Sequence, residues 1–125
     1  MRVLAAPLAP LAAAAVLAAP AGAAPSARCP GNLLPLGRNA IGPAAAAALR
    51  ADPPRNRPQV RGAMLAPADA ARGPQAKAQC GRTVWERTVV VYLLDRAFLP
   101  SQSASQRVVF VGRTPAGYRV WARAH

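Results

Sequence analysis

Apolar positions along this chain change pattern three times. Residues 3–19 are almost continuously apolar, rich in Ala and Leu, and follow a single cation, Arg2. Pro7, Pro10 and Pro20 interrupt the run, and Ala21-Gly22-Ala23 closes it. A charged start, an apolar stretch and a small-x-small end make a secretory signal peptide, cut before Ala24. A permanent span needs about 20 uninterrupted apolar residues, and no later segment approaches that length. The expected organisation is residues 1–23 as signal peptide and 24–125 as one small domain with an irregular, Pro-rich N-terminal part.

In residues 24–39 the apolar positions have no period. Pro25, Pro30, Gly31, Pro35 and Gly37 break any regular element. This segment is expected to lie across the domain, with Leu33, Leu34 and Leu36 packing beneath it. Gly42-Pro43 then opens a helix, because Pro at a first helical position lacks only an N–H that has no partner there. Ala44 to Arg50 continue it, and Asp52-Pro53-Pro54 stops it. A second short helix is predicted over Gln59–Leu65, with Val60, Met64 and Leu65 on one face, and a turn over Ala68–Arg72.

From Gln75 the period becomes two. Gln75–Cys80 alternates weakly, as a strand or sheet edge. Thr83–Leu94 is the strongest strand, with Trp85, Arg87, Val89, Val91 and Leu93 on one face and Val84, Glu86, Thr88, Val90 and Tyr92 on the other. Its second half is apolar on both faces, which predicts a central strand covered on both sides. Gln106–Gly112 and Tyr118–Ala124 are strands joined by Thr114-Pro115-Ala116-Gly117, a turn in which Gly117 takes the left-handed region. The fold class is α+β: one or two short N-terminal helices packed on a three- or four-stranded antiparallel sheet. Helix-then-meander order is similar in architecture to cystatin-like and nuclear-transport-factor-like cone folds.

Two cysteines, Cys29 and Cys80, both fall after the signal segment. In an exported chain an even count points to a disulfide, and only one intramolecular pairing exists. Two distant cysteines and one His make a poor metal site. The formal net charge is +12. Without Arg2, the basic residues are Lys77 and otherwise Arg. The excess has two readings: a polyanion partner, or a coding bias that inflates Ala, Arg, Gly and Pro together. The basic residues are scattered rather than clustered, which favours bias.

C-G-R-T-V-W-E-R-T-V-V-V-Y, P-S-Q-S-A-S-Q-R-V-V-F-V-G-R-T and G-Y-R-V-W lie between Cys80 and Trp121. In these stretches the chain resembles small exported proteins of high-GC actinobacteria. The resemblance implies export and a β-rich domain, and it carries no activity with it.

Catalytic sets are hard to assemble. The sole His is His125, the last residue given, and the four acids are Asp52, Asp69, Glu86 and Asp95. Glu86 beside Arg87 and Asp95 beside Arg96 read as surface charge balance. No phosphate loop, cofactor motif or redox C-x-x-C is present. Two sets remain as binding candidates. One is the polar loop Ser101, Ser103 and Ser105 with Gln102 and Gln106. The other is an aromatic and arginine platform of Trp85, Tyr92, Tyr118 and Trp121 with Arg87, Arg107, Arg113 and Arg119. For each, ordinary solvation or sheet packing is the competing explanation. The leading expectation is an exported, disulfide-stapled, non-enzymatic binding domain of the cell envelope or extracellular space. Its partner would be an anionic wall polymer or a protein, and export argues against nucleic acid. The alternatives are a secreted protease inhibitor presenting Ser101–Ser105, and a small enzyme with a cone-shaped pocket requiring Glu86 or Asp95 inside it.

Overall fold

Alanine spacing sets the first layer of the fold. The computed structural model describes residues 28–102 and 105–124. The predicted signal peptide, Ser103 and His125 lie outside the described residues. Helix α1 spans Ile41–Ala51 and ends where Asp52 turns extended before Pro53. Ala40, Ala44, Ala47 and Ala48 form a smooth buried stripe, packed on Val89, Val91, Leu93, Val109 and Val111. Small side chains let a helix lie close to a sheet, so the lost area per residue is offset by tight packing.

The sheet is an antiparallel meander of four strands: β1 (Pro58–Leu65), β2 (Thr88–Asp95), β3 (Gln106–Thr114) and β4 (Gly117–Ala124). Val89, Val90 and Val91 are all fully buried, because the second face is covered too. There a short 3-10 turn at Ala66–Ala68 and two helices, α2 (Gly73–Cys80) and α3 (Arg82–Glu86), bridge β1 to β2. Ala66 and Ala76 pack with Val90, Val108 and Phe110, flanked by Trp85, Tyr92 and Trp121. The fold is therefore α+β, with the sheet sandwiched between α1 and the α2–α3 segment.

The N-terminal segment is tied down as a strap. Cys29 and Cys80 form a disulfide, with their Cα atoms 5.5 Å apart and 51 residues between them in sequence. Leu34 N–H donates to Arg113 O at 2.7 Å, the only point at which the strap joins a described strand as a β-bridge. Leu33 is buried over Gly112, where a Cβ would stand 2.4 Å from Leu33 Cδ2.

Three sequence expectations give way. Gln59–Leu65 is a strand rather than a helix, with its register shifted between Val60 and Gly62. Val60 and Ala63 face the α1 core, while Met64 and Leu65 are exposed. The bulge around Arg61 breaks the alternation that would have marked a strand. Gln75–Cys80 is helix α2 rather than a strand, because Pro74 sits in its first turn and opens it. The long strand over Thr83–Leu94 divides, its first part forming α3 before β2 begins at Thr88. The break is stabilised by Thr88, whose hydroxyl donates to Val84 O at 2.6 Å. The hairpin stands where it was expected, with Gly117 at φ 113° and Thr114 Oγ1 donating to Gly117 O at 2.8 Å.

Candidate functional site

Three of the four carboxylates are inside the protein. Asp52, Asp69 and Asp95 are 4%, 4% and 0% exposed; Asp52 and Asp95 share one cation, and Asp69 has partners of its own. Asp52 follows the last turn of α1, and Asp95 ends β2 on the same sheet face. Arg107 on β3 reaches both. Its Nη1 donates to Asp52 Oδ1 at 3.1 Å, and its Nη2 stands 3.4 Å from Asp95 Oδ2. Burial, the hydrogen bond a protonated Asp95 makes with Asp52, and the Asp52 charge hold the Asp95 pKa up at about 6, against the pull of Arg107. The reading of Asp95 as surface charge balance is thus corrected. Its partner is Arg107 across the sheet, since Leu93 pairs with Arg107 in register. Continuing the alternation of Val89, Val91 and Leu93 by one step places Asp95 on the covered face, and this was the signal for it. Glu86 does lie on the surface, but it pairs with Arg82 at 2.9 Å rather than with Arg87.

Asp69 is held by a different set. Its Oδ1 accepts the N–H groups of Ala71 and Arg72, both at 2.9 Å, and its Oδ2 accepts the Tyr92 hydroxyl at 2.5 Å. The turn at residues 70–72 is thereby fixed to β2, and α2 follows directly. Burial, then the hydrogen bond to Asp69 and its charge, push the Tyr92 pKa up to about 12, with Arg72 opposing. Tyr92 is therefore a neutral donor whose proton is already committed.

The aromatic set divides between the two faces. Trp85, Tyr92 and Trp121 flank the core under α2 and α3, whereas Tyr118 packs against the α1 core. Trp121 stacks at a tilt on Phe110, with centroids 5.2 Å apart, and its Nε1 donates to Thr88 Oγ1 at 3.2 Å. Lys77 lies 4.9 Å from the centre of the Trp85 ring. Among the arginines of the set, Arg87 donates to Leu33 O at 2.6 Å and so holds the strap, while Arg107 holds the acids. Arg113 and Arg119 are exposed. The structure does not gather these side chains on one platform.

Among the described residues around the polar loop, Leu99, Gln102 and Ser105 hydrogen-bond to one another. Ser105 is fully buried, and its Oγ donates to Gln102 O at 2.7 Å. Gln102 Oε1 accepts the Leu99 N–H at 2.8 Å. Ser101 and Gln102 are exposed, and Gln106 is exposed at the start of β3.

A cleft of about 550 Å³ opens on the sheet face away from α1, beside the turn that Asp69 fixes. Tyr92, Leu94, Pro100, Gln106 and Val108 line it, with Arg61 and Arg72 contributing charge. Arg107 and Leu93 also border it, but the Arg107 guanidinium is engaged with Asp52 and Asp95. Tyr92, Arg107 and Gln106 were candidates from the sequence, but their grouping with Arg61 and Arg72 was not, since these residues come from separate segments. No carboxylate is among its lining residues, so Asp95 is buried without facing it. Among the described residues, no group of three or more His, Cys, Asp and Glu is placed to hold a metal ion, and no helix is long and apolar enough to cross a membrane. No protein-family model, no curated protein and no solved structure matches this chain.

Proposed function

We propose that the chain is exported and acts as a non-enzymatic binding domain of the cell envelope, with an anionic polymer as its ligand. The observation that carries this reading is the burial of Asp52, Asp69 and Asp95. Each of these acids is spent inside the fold, which leaves Glu86 as the one exposed carboxylate among the described residues. The arginines at positions 55, 57, 61, 82, 96, 113, 119 and 123 all face solvent. A coding bias would account for the number of arginines but not for the withdrawal of the acids from the surface. The resulting field attracts anions and speeds their encounter. The disulfide supports an oxidising compartment, where such bonds persist. The predicted signal segment and the resemblance to small exported actinobacterial proteins point the same way.

The test is binding of the purified, oxidised protein to isolated cell wall and to a generic polyanion such as polyphosphate, each across a salt series. Contacts made by field alone weaken steeply and together as salt rises. Wall binding that survives salt able to strip the polyanion supports the reading. Loss of both at the same salt removes it.

A further inference from the structure

We propose that the outer edge of β4 is a docking site for an extended acidic segment of another protein, which joins the sheet as a further strand and carries acidic side chains three residues apart. Such a contact goes beyond polymer binding and does not depend on it. Among the described residues β4 has one sheet neighbour, β3, and its other side makes no backbone hydrogen bond. A strand edge of this kind presents a row of N–H and C=O groups that an extended chain can complete.

Charge selects the occupant. The hairpin of β3 and β4, residues 106–124, holds Arg107, Arg113, Arg119 and Arg123 and no Asp or Glu. Helix α1, packed beside β4, holds Arg50 and no acid. Arg107 is spent on Asp52 and Asp95. Arg119 and Arg123 are exposed on the edge strand itself, and neither forms an ion pair with a described residue. Arg123 Nη2 donates only to the neutral Ala51 O, at 3.5 Å, so its charge stays uncompensated. Repulsion between like arginines disfavours the same edge of a second copy. β1, the opposite edge, opens on Pro58, which has no N–H, and exposes Met64 and Leu65 with Arg61 as its one cation.

A register shift in β4 sets the spacing. Arg119 pairs with Gly112 and Arg123 with Val109, so four steps along β4 match three along β3, the shift falling at Trp121. Val109 and Val111 face α1, and Gly112, one step from Val111, faces away. Cross-strand partners share a face, so the Arg119 and Arg123 side chains start on opposite faces. A strand on the outer side meets the same shortened spacing. Acids at i and i+3 on it also point to opposite faces, one toward each arginine, whereas acids at i and i+4 share a face. On the α1 side a hollow of about 140 Å³ lies between Ala47, Arg50 and Ala51 of the helix and Tyr118 and Val120 of β4, with room for one partner side chain.

The experiment is an NMR titration of the isotope-labelled, oxidised protein with an end-blocked octapeptide of Val and Thr carrying Glu at its third and sixth residues. A second octapeptide carries Glu at its third and seventh residues. Two further versions of the first are N-methylated, one at its odd and one at its even residues. The first peptide is expected to shift the β4 amides and to bind about two- to fivefold tighter than the second, the range of one exposed ion pair. N-methylation of the set that faces β4 should weaken binding at least about tenfold, and the other set should be tolerated, because alternate N–H groups point to opposite edges. Arg119→Gln and Arg123→Gln should each weaken the first peptide about two- to fivefold. Arg61→Gln, on β1, should leave it unchanged. All three positions are exposed, and circular dichroism verifies that the fold is kept. Equal affinity for the two spacings, equal affinity for the two N-methylated versions, equal weakening by Arg61→Gln and Arg119→Gln, or no shift of the β4 amides at millimolar peptide each overturns the proposal. Polyphosphate that shifts the β4 amides as strongly assigns the edge to a polymer, and a sedimenting dimer with protected β4 amides assigns it to a second copy; either result also overturns it.

Discussion

Arg107 Nη2 stands 3.4 Å from Oδ2 of Asp95, a carboxylate with no exposed surface at all. The same guanidinium holds Asp52, so α1, β2 and β3 meet at one cation. Two carboxylates and one guanidinium leave the cluster one negative charge in excess when both acids are ionised. Asp52 Oδ2, both Asp95 oxygens and Arg107 Nε have no hydrogen-bond partner there. A proton between the two carboxyls removes the excess charge and pairs two of the oxygens, and that is why burial and Asp52 raise the Asp95 pKa to about 6.

The pH dependence of stability follows from that shift. The unfolded carboxyl titrates near 3.8 and the folded one near 6, so between these values the folded state binds the extra proton. The stabilisation is fully present below about pH 4 and is lost as pH rises through about 6. Asp95→Asn supplies a neutral side chain at every pH. Relative to that variant, the unsubstituted protein should lose several °C of melting temperature between pH 4.5 and 7.5, at about 4–8 °C per kcal/mol for a domain of this size. Parallel melting curves for the two proteins across that range would show that Asp95 does not hold the proton.

Removing the cation tests the cluster from the other side. Arg107→Met leaves two buried carboxylates without their partner, and breaking a buried pair in this way costs about 3–5 kcal/mol. Asp52→Asn with Asp95→Asn should recover much of the loss in the Arg107→Met background, because no buried charge then remains. Denaturant titration of the four combinations gives the coupling directly. Simple additivity would mean that the three side chains are neighbours without being energetically linked.

How far the sequence carried depends on whether a signal was local. The hairpin was readable because Pro115 and Gly117 encode their turn in four adjacent residues, and α1 because Gly42-Pro43 and Asp52-Pro53 bracket an Ala run. Pro74 lies in the first turn of α2 as Pro43 lies in the first turn of α1, but the weak alternation of Gln75–Cys80 masked it. β1 was hidden by its bulge at Arg61, which removed the period of two. The site was harder still. Arg96 is the sequence neighbour of Asp95, yet the partner is Arg107, reached only through the β2–β3 register. The cleft exists because Asp69 fixes a turn against Tyr92, a contact spanning 23 residues that no local pattern encodes.

The strap makes the disulfide a stability element. Cys29 and Cys80 close a loop with a separation of 51 residues. In the chain-entropy treatment a loop of that size contributes about 4 kcal/mol, a large share of the roughly 5–15 kcal/mol that holds a domain folded. Cys29→Ser with Cys80→Ser should lower the melting temperature by about 15 °C or more, at about 4–8 °C per kcal/mol. Amide exchange should show the Leu34 N–H losing protection before the β2 amides do, since its partner Arg113 O is the strap's sole β-bridge to a described strand. An unchanged melting temperature would mean that strap packing alone holds the segment.

Gly112 reports on that packing. A Cβ at this position would lie 2.4 Å from Leu33 Cδ2 and 2.9 Å from Cδ1, so the nearest obstruction is the leucine side chain. Gly112→Ala should therefore cost about 1–3 kcal/mol, the usual range for overpacking. Leu33→Ala removes the obstructing atoms, so the double variant should be less destabilised than the sum of the two single ones. Gly73 provides the contrast, because a Cβ there would strike the backbone carbonyl of Ala66, which no side-chain truncation can relieve. Gly73→Ala should then be the more damaging change, and Leu33→Ala should not soften it. Chemical denaturation of these five variants and the unsubstituted protein decides the matter. Strict additivity between Gly112→Ala and Leu33→Ala would show that the strap does not rest on β3 through this contact.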